Sequence, residues 1–235
     1  MLGAAGHFTG LALWQRRRLS AADRARWLSA WSRRALAALR IQARFEGAPP
    51  GQGLVVGNHL SYLDIVVLAS LAPMRFVAKA DVRAWPVMGP LAVMAGTLFI
   101  DRTRRADVSR LNAELDTALA DAVPVVLFPE GTSSDGARVL PFRSSLLAPA
   151  AASGAPVTPV HLSYAIDDGS VADEVCYWRD MTFLPHFLNL ARKRAVRARV
   201  RFGLPVRERG DRKRLARALH GAVQALAPDP PAPPG

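Results

Sequence analysis

Asn58, His59, Ser61 and Asp64 form an abrupt polar cluster inside an otherwise apolar stretch, residues 54–70, LVVGNHLSYLDIVVLAS. An imidazole exchanges protons near neutral pH. A carboxylate on one ring nitrogen fixes its tautomer and leaves the other nitrogen able to take a proton. His59 and Asp64 are therefore candidates for a general base and its orienting acid. Their spacing sets a condition. Inside one helix, residues five apart lie about 140° apart around the axis and cannot meet. They meet if His59 occupies a loop and Asp64 the first turn of a helix, with Ser61 as the expected N-cap. The same residues also admit a structural reading: a capping serine, a surface histidine and an aspartate placed at a helix N-terminus for its dipole.

The elements around the cluster favour a positioned site. Leu54, Val55 and Val56 make an apolar run ending at Gly57, which reads as a buried strand entering a loop, and residues 65–71 follow as an apolar helix. Strands are expected at 75–78, 97–100, 125–128, 157–162 and 198–202, with a further one near 175–178. Helices are expected over 23–44 (one or two), 107–122, 143–152 and 211–226, and residues 81–95 are broken by Pro86 and Pro90. This alternation predicts an α/β fold: a mixed, mostly parallel central sheet flanked by helices, with an N-terminal amphipathic helical arm. Strand ends are where such folds place their chemistry.

Three more blocks follow in order: Gly96-Thr97-Leu98-Phe99-Ile100-Asp101-Arg102, Phe128-Pro129-Glu130-Gly131-Thr132-Ser133-Ser134, and Val157-Thr158-Pro159-Val160. Together with His59-x4-Asp64 they resemble the glycerophospholipid acyltransferases, specifically the bacterial 1-acyl-glycerol-3-phosphate type, over roughly residues 50–205. The resemblance implies acyl transfer from acyl-CoA or acyl carrier protein to the free hydroxyl of a lysolipid. The acceptor it points to first is lysophosphatidate, giving phosphatidate; lyso-ornithine lipid or another lysophospholipid is the alternative. It also implies acceptor binding by Arg102, Glu130, Gly131 and Thr132, with Asp101 supporting Arg102, and no metal or other cofactor.

The residues themselves agree with that chemistry. Acyl transfer from a thioester to an alcohol needs the alcohol deprotonated and an oxyanion stabilised, so one base suffices. No Gly-x-Ser-x-Gly elbow advertises a covalent serine, since residues 131–135 fail at the last position. Gly131 and Gly136 have the glycine spacing of a P-loop, but Ala137-Arg138 replaces its Lys-Ser/Thr. Arg102 and Lys79 are the cations at strand ends best placed for a phosphate, and the small-residue turn 131–133 lets backbone amides approach an anion. His161 reads as a core residue, and His186 and His220 lack acidic neighbours in sequence.

Charge bears on partners. The chain carries 31 Lys+Arg against 19 Asp+Glu, a formal +12. The excess sits at the ends: nine arginines against two acids through Glu46, and twelve basic residues against two acids over 189–217. An anionic membrane surface or nucleic acid would attract such ends. Trp14, Trp27, Trp31 and several leucines among the N-terminal arginines suit a headgroup layer, and no nucleic-acid readout motif is present. No run reaches the ~18–20 apolar residues of a spanning helix, and the single Cys176 can form no internal disulfide. The expected layout is a membrane-associating arm over 1–46, an acyltransferase domain over 47–227 and a proline-rich tail over 228–235. The expected location is the cytoplasmic face of the inner membrane, peripheral or monotopic. A basic peripheral membrane-binding protein without activity is the non-enzyme alternative.

Overall fold

The computed structural model describes residues 19–85, 87–101, 105–119 and 121–228. Expectations resting on residues 1–18, Pro86, Arg102 and 229–235 lie outside the described residues. In chain order the strands are β1 (Ile41–Glu46), β2 (Leu54–Gly57), β3 (Arg75–Lys79), β4 (Leu98–Ile100), β5 (Val125–Leu127), β6 (Val157–Ile166) and β7 (Val196–Phe202). They form one sheet in the order β1-β7-β6-β2-β5-β3-β4. Every neighbouring pair is parallel except β6 with β7. This is the mixed, mostly parallel sheet expected.

β2 lies at the centre of the sheet with helices over both faces, so all four of its residues are buried. Its side chains alternate between two cores. Val55 packs beneath α1 (Ala21–Ala38) and α2 (Leu63–Leu71). Leu54 and Val56 face α4 (Arg105–Leu119), α5 (Ala148–Ser153) and α8 (Arg212–Ala225). The chain leaves β2 through α2 to reach β3 on one side. It leaves β5 through α5, on the other face, to reach β6 beyond β2. Loops departing in opposite directions from adjacent parallel strands open a crevice at the strands' carboxyl ends. His59 follows β2 and Glu130 follows β5, so topology alone brings both to that crevice.

Helix α1 departs from the expectation for the arm. A capping box starts it, Ser20 Oγ accepting from Asp23 N–H and the Asp23 carboxylate answering the Ser20 N–H. It ends at Ala38, and Ile41–Glu46 is a strand paired with β7 instead of more helix. The period-2 burial of Ile41, Ala43 and Phe45 is what distinguishes it. Residues 47–53 thus connect two strands of the same sheet. Leu28 and Leu36 of α1 pack on the core, and Trp27 and Trp31 face the interior cavity described below. Two of its arginines meet carbonyls at the ends of other helices: Arg24 donates to Met94 and Arg33 to Ser70.

Two other expectations are corrected. Residues 175–178 form no strand; Val175 and Cys176 are buried because they pack beside the loop after β2, where Tyr177 N–H donates to the Leu60 carbonyl at 2.8 Å. Between α6 (Val171–Glu174) and β7 lies α7, Phe183–Arg192. Pro185 disguised it, yet the proline occupies the first turn, where the missing N–H has no helical partner to lose.

Candidate active site

The loop after β2 is held at nearly every backbone polar group. Asn58 acts as an artificial strand residue: its Nδ2 donates to the Leu162 carbonyl at 2.9 Å and its Oδ1 accepts the Leu162 N–H at 2.8 Å. The His59 N–H donates to Glu130 Oε2 at 3.0 Å, and the His59 carbonyl accepts from Ser134 N–H at 3.0 Å. Gly57 precedes this lacing because any Cβ there would lie 2.7 Å from the Val160 carbonyl oxygen.

Asp64 is fully buried in the first turn of α2 and its carboxylate gathers four donors. Oδ2 accepts from Leu60 N–H at 2.7 Å, Ser61 N–H at 3.0 Å and His59 Nδ1 at 2.8 Å. Oδ1 accepts from the Tyr164 hydroxyl at 2.7 Å. Ser61 is therefore not the N-cap expected; no side chain caps α2, and Asp64 itself reaches back to the preceding amides. Because the carboxylate can only accept, Nδ1 carries the hydrogen and Nε2 carries the lone pair. The ring stacks on Phe128 at 4.3 Å with 12° between planes, and its side chain keeps 23% exposure toward the cavity. The ring thus has its tautomer and orientation both set, the arrangement a general base would need.

Tyr164 is buried, and burial, reinforced by the Asp64 carboxylate, pushes its phenol well above the ordinary range, so it is a neutral donor. Tyr164→Phe is expected to cost stability by about 1.5–3 kcal/mol, the range for a hydrogen bond to a charged group. It should also lower kcat about tenfold with KM unchanged, because Asp64 loses one of the contacts that orients it. Steady-state kinetics beside a denaturant melt separates the two effects; an unchanged kcat would remove Tyr164 from the positioning network.

Glu130 is buried and braces the site. Its Oε2 holds the His59 N–H and its Oε1 the Leu140 N–H at 2.8 Å. Burial raises its pKa from 4.5 to about 7 against the lowering effect of those two N–H bonds. The folded state thus binds a proton that the unfolded chain has released. The associated stability is fully present below 4.5 and is lost as pH rises through about 7, roughly 3 kcal/mol at 1.36 kcal/mol per pH unit. Glu130→Gln should abolish this pH dependence. It should also destabilise the protein by about 1–3 kcal/mol at about pH 5, since an amide can accept only one of the two N–H groups. Denaturant unfolding of both proteins at about pH 5 and about pH 8 tests this; parallel curves would refute it.

His59 opens on a cavity of about 450 Å³, within the usual range for small-molecule sites. Apolar groups dominate it: Trp27 and Trp31 from α1, Ile65 from α2, and Met88 and Leu91 from α3 (Met88–Met94). Gly131, Thr132 and Ser133 line the end near His59, and Gly131 holds φ 81°, a left-handed turn that favours glycine. Lys79, at the end of β3, and Arg179 are exposed and line the same cavity.

A family model described as Acyltransferase matches residues 40–163, just over half of the chain. The chain belongs to this acyltransferase family. The acyltransferase is 37% identical over 232 residues to a lyso-ornithine lipid O-acyltransferase of Pseudomonas aeruginosa, covering 95% of this chain and 89% of that one. It is 36% identical over 170 residues to a 1-acyl-sn-glycerol-3-phosphate acyltransferase of Neisseria gonorrhoeae, covering 67% and 66%. In fold it is similar to the crystal structure of the 1-acyl-sn-glycerophosphate acyltransferase PlsC from Thermotoga maritima, with a TM-score of 0.64 over 96% of this chain and 95% of that one, at 21% identity.

Of the residues singled out in sequence, the acyltransferase joins His59, Asp64 and Glu130 by hydrogen bonds and lines one cavity with His59, Lys79, Gly131 and Thr132. Asp101 follows β4, its backbone N–H donating to Asp107. Arg102 lies outside the described residues. Sequence reasoning missed Tyr164, and no motif marks it; only its place on the same strand face as Leu162 pointed inward. It also missed the stack on Phe128, although that residue opens the third block. His161 is buried away from the cavity, where burial lowers its pKa to about 4, and its Nδ1 has no partner among the described residues. Burial raises Cys176 to about 12, which removes it as a thiolate nucleophile.

Proposed function

We propose that the acyltransferase moves a fatty acyl group from the thioester of CoA or acyl carrier protein to the free hydroxyl of a lysolipid. The observation that carries this is the His59–Asp64 pair facing an apolar cavity. His59 Nε2 takes the hydroxyl proton as the oxygen attacks the thioester carbonyl. The tetrahedral intermediate then expels the thiolate, which recovers that proton from the imidazolium. The Thr132 and Ser133 amides, in the turn that lines the cavity, are candidates to receive the oxyanion. No covalent intermediate on the protein is needed.

Lyso-ornithine lipid is the acceptor best supported, because the relative named for it matches nearly the whole chain. Lysophosphatidate is the second reading, supported by Lys79 and Arg179 at the cavity, where a phosphate would need cations. A panel of lysolipid acceptors with labelled acyl-CoA and acyl carrier protein decides between them. Transfer to lysophosphatidate without transfer to lyso-ornithine lipid would reverse the order, and release of free fatty acid without any acceptor would favour a hydrolase. EDTA is expected to leave turnover unchanged, because the Asp64 and Glu130 carboxylates are committed to N–H and O–H donors; loss of purified activity on chelation would contradict this. Among the described residues no helix is long and apolar enough to cross a membrane. Peripheral attachment at the cytoplasmic face of the inner membrane fits the basic ends of the chain.

A further inference from the structure

The apolar face of helix α7 runs from its buried side out to the exposed surface. His186 and Leu190 turn inward, 7% and 0% exposed, while Leu184 and Leu188 turn outward at 62% and 47%. The outward pair is spaced i, i+4, and Arg192 continues the same row, exposed. The helix contains no acid. A single exposed leucine is ordinary, but an apolar helix face that extends into solvent through two leucines on successive turns is normally covered.

What lies beside this stripe indicates the cover. Phe183, at the start of α7, packs edge-on against Tyr62 at 5.2 Å and lies 6.3 Å from Trp85, and both partners line the catalytic cavity. Tyr62 is fixed in turn by His186. His186 Nε2 donates to the Cys176 carbonyl, so its Nδ1 accepts the Tyr62 hydroxyl at 3.0 Å. On the far side of Trp85, Val87 is 50% exposed. Exposed aliphatic groups therefore stand on two separate segments, each adjoining residues that line the cavity. Lys79, Arg83, Arg179 and Arg192 are exposed on or beside these segments, against the exposed acids Asp81 and Asp180.

We propose that Leu184, Leu188 and Val87, with these cations around them, form the surface by which the protein docks on an anionic lipid bilayer. The aliphatic groups enter the boundary between headgroups and acyl chains, the cations pair with headgroup phosphates, and the cavity faces the layer that supplies the lipid. This rests on the reading of a lysolipid acceptor.

The test compares the full chain with the double variant Leu184→Asp/Leu188→Asp and with Leu204→Asp. Leu204 is 88% exposed just beyond β7, next to Gly203, whose N–H meets the Pro159 carbonyl near the start of β6, apart from α7 and Val87 in the chain. Vesicles of phosphatidylglycerol mixed with phosphatidylcholine, and of phosphatidylcholine alone, report binding by sedimentation at low and high salt. The double variant should bind the anionic vesicles about tenfold more weakly or worse, and lose turnover in parallel on an acceptor embedded in them. It should keep its melting temperature and its turnover on a short-chain, water-soluble lysolipid, and Leu204→Asp should behave like the parent. Undiminished vesicle binding by the double variant would overturn the proposal and assign docking to another surface, such as residues 1–18; so would a parent protein that ignores vesicles. Absence of transfer to every lysolipid, with the binding difference intact, would instead overturn the functional reading alone.

Discussion

Alanine in place of His59 is expected to lower kcat by about 10²–10⁴-fold, the usual worth of a positioned general base, with KM nearly unchanged and a smaller loss of stability than Asp64→Asn. No other described residue lining the cavity can take over. Burial pushes Tyr62 and Tyr177 above the ordinary phenol range, and the Tyr62 hydroxyl is already bonded to His186. Lys79 and Arg179 carry charge and have no lone pair to offer while protonated. The fold should tolerate the change because the loop is held through the backbone of His59, not its ring. The stack on Phe128 is lost, about 0.5–1.5 kcal/mol, together with the Nδ1–H bond to Asp64, whose carboxylate keeps its other three donors. Initial rates with labelled donor, alongside a thermal melt, test this, and kcat within tenfold of the parent would end the role of His59 as base.

Asp64→Asn should lose both activity and stability, which separates it from the first variant. The carboxylate now satisfies three N–H groups and one O–H. An amide of the same shape has one acceptor oxygen and turns an NH₂ group toward the remaining donors. Whichever way it sits, donors face donors in a site with no solvent exposure, at about 1.5–3 kcal/mol for each charge-assisted bond lost. The imidazole then loses the partner that selects its tautomer, and kcat should fall about 10³–10⁴-fold. A variant that melts like the parent and turns over normally would show that the buried acid neither orients the ring nor holds the loop.

Much of this was readable in the chain because the central strands have no polar alternative. An uninterrupted Leu-Val-Val ending in Gly57 could only be a buried strand, and a histidine and an aspartate just beyond it had to meet in a loop or not at all. Segments whose burial comes from distant neighbours were harder. Ile41–Glu46 follows a helix closely and carries arginine and glutamate on its outer face, so its strand character shows only once β7 pairs with it, Glu46 meeting Arg199 and Arg201. Val175 and Cys176 look like a strand because they are apolar, yet the loop after β2 is what covers them. The role of Tyr164 was invisible for a related reason: its partner is 100 residues away. Glu130 showed the reverse. Its motif marked it as important, but sequence could not tell a group that touches substrate from one that grips the backbone.

The lacing of the loop after β2 changes how damage at this site should be counted. Asn58, Glu130 and Asp64 each fasten the peptide that carries a single ring, Tyr164 braces Asp64, and in the proposed mechanism one atom of that ring handles the proton. A mutational survey scored by residual turnover would register five essential residues where the reaction employs one. The distinction would emerge only from calorimetry beside the rate data: four of the losses travel with a softened native state, and the fifth costs turnover far more than stability.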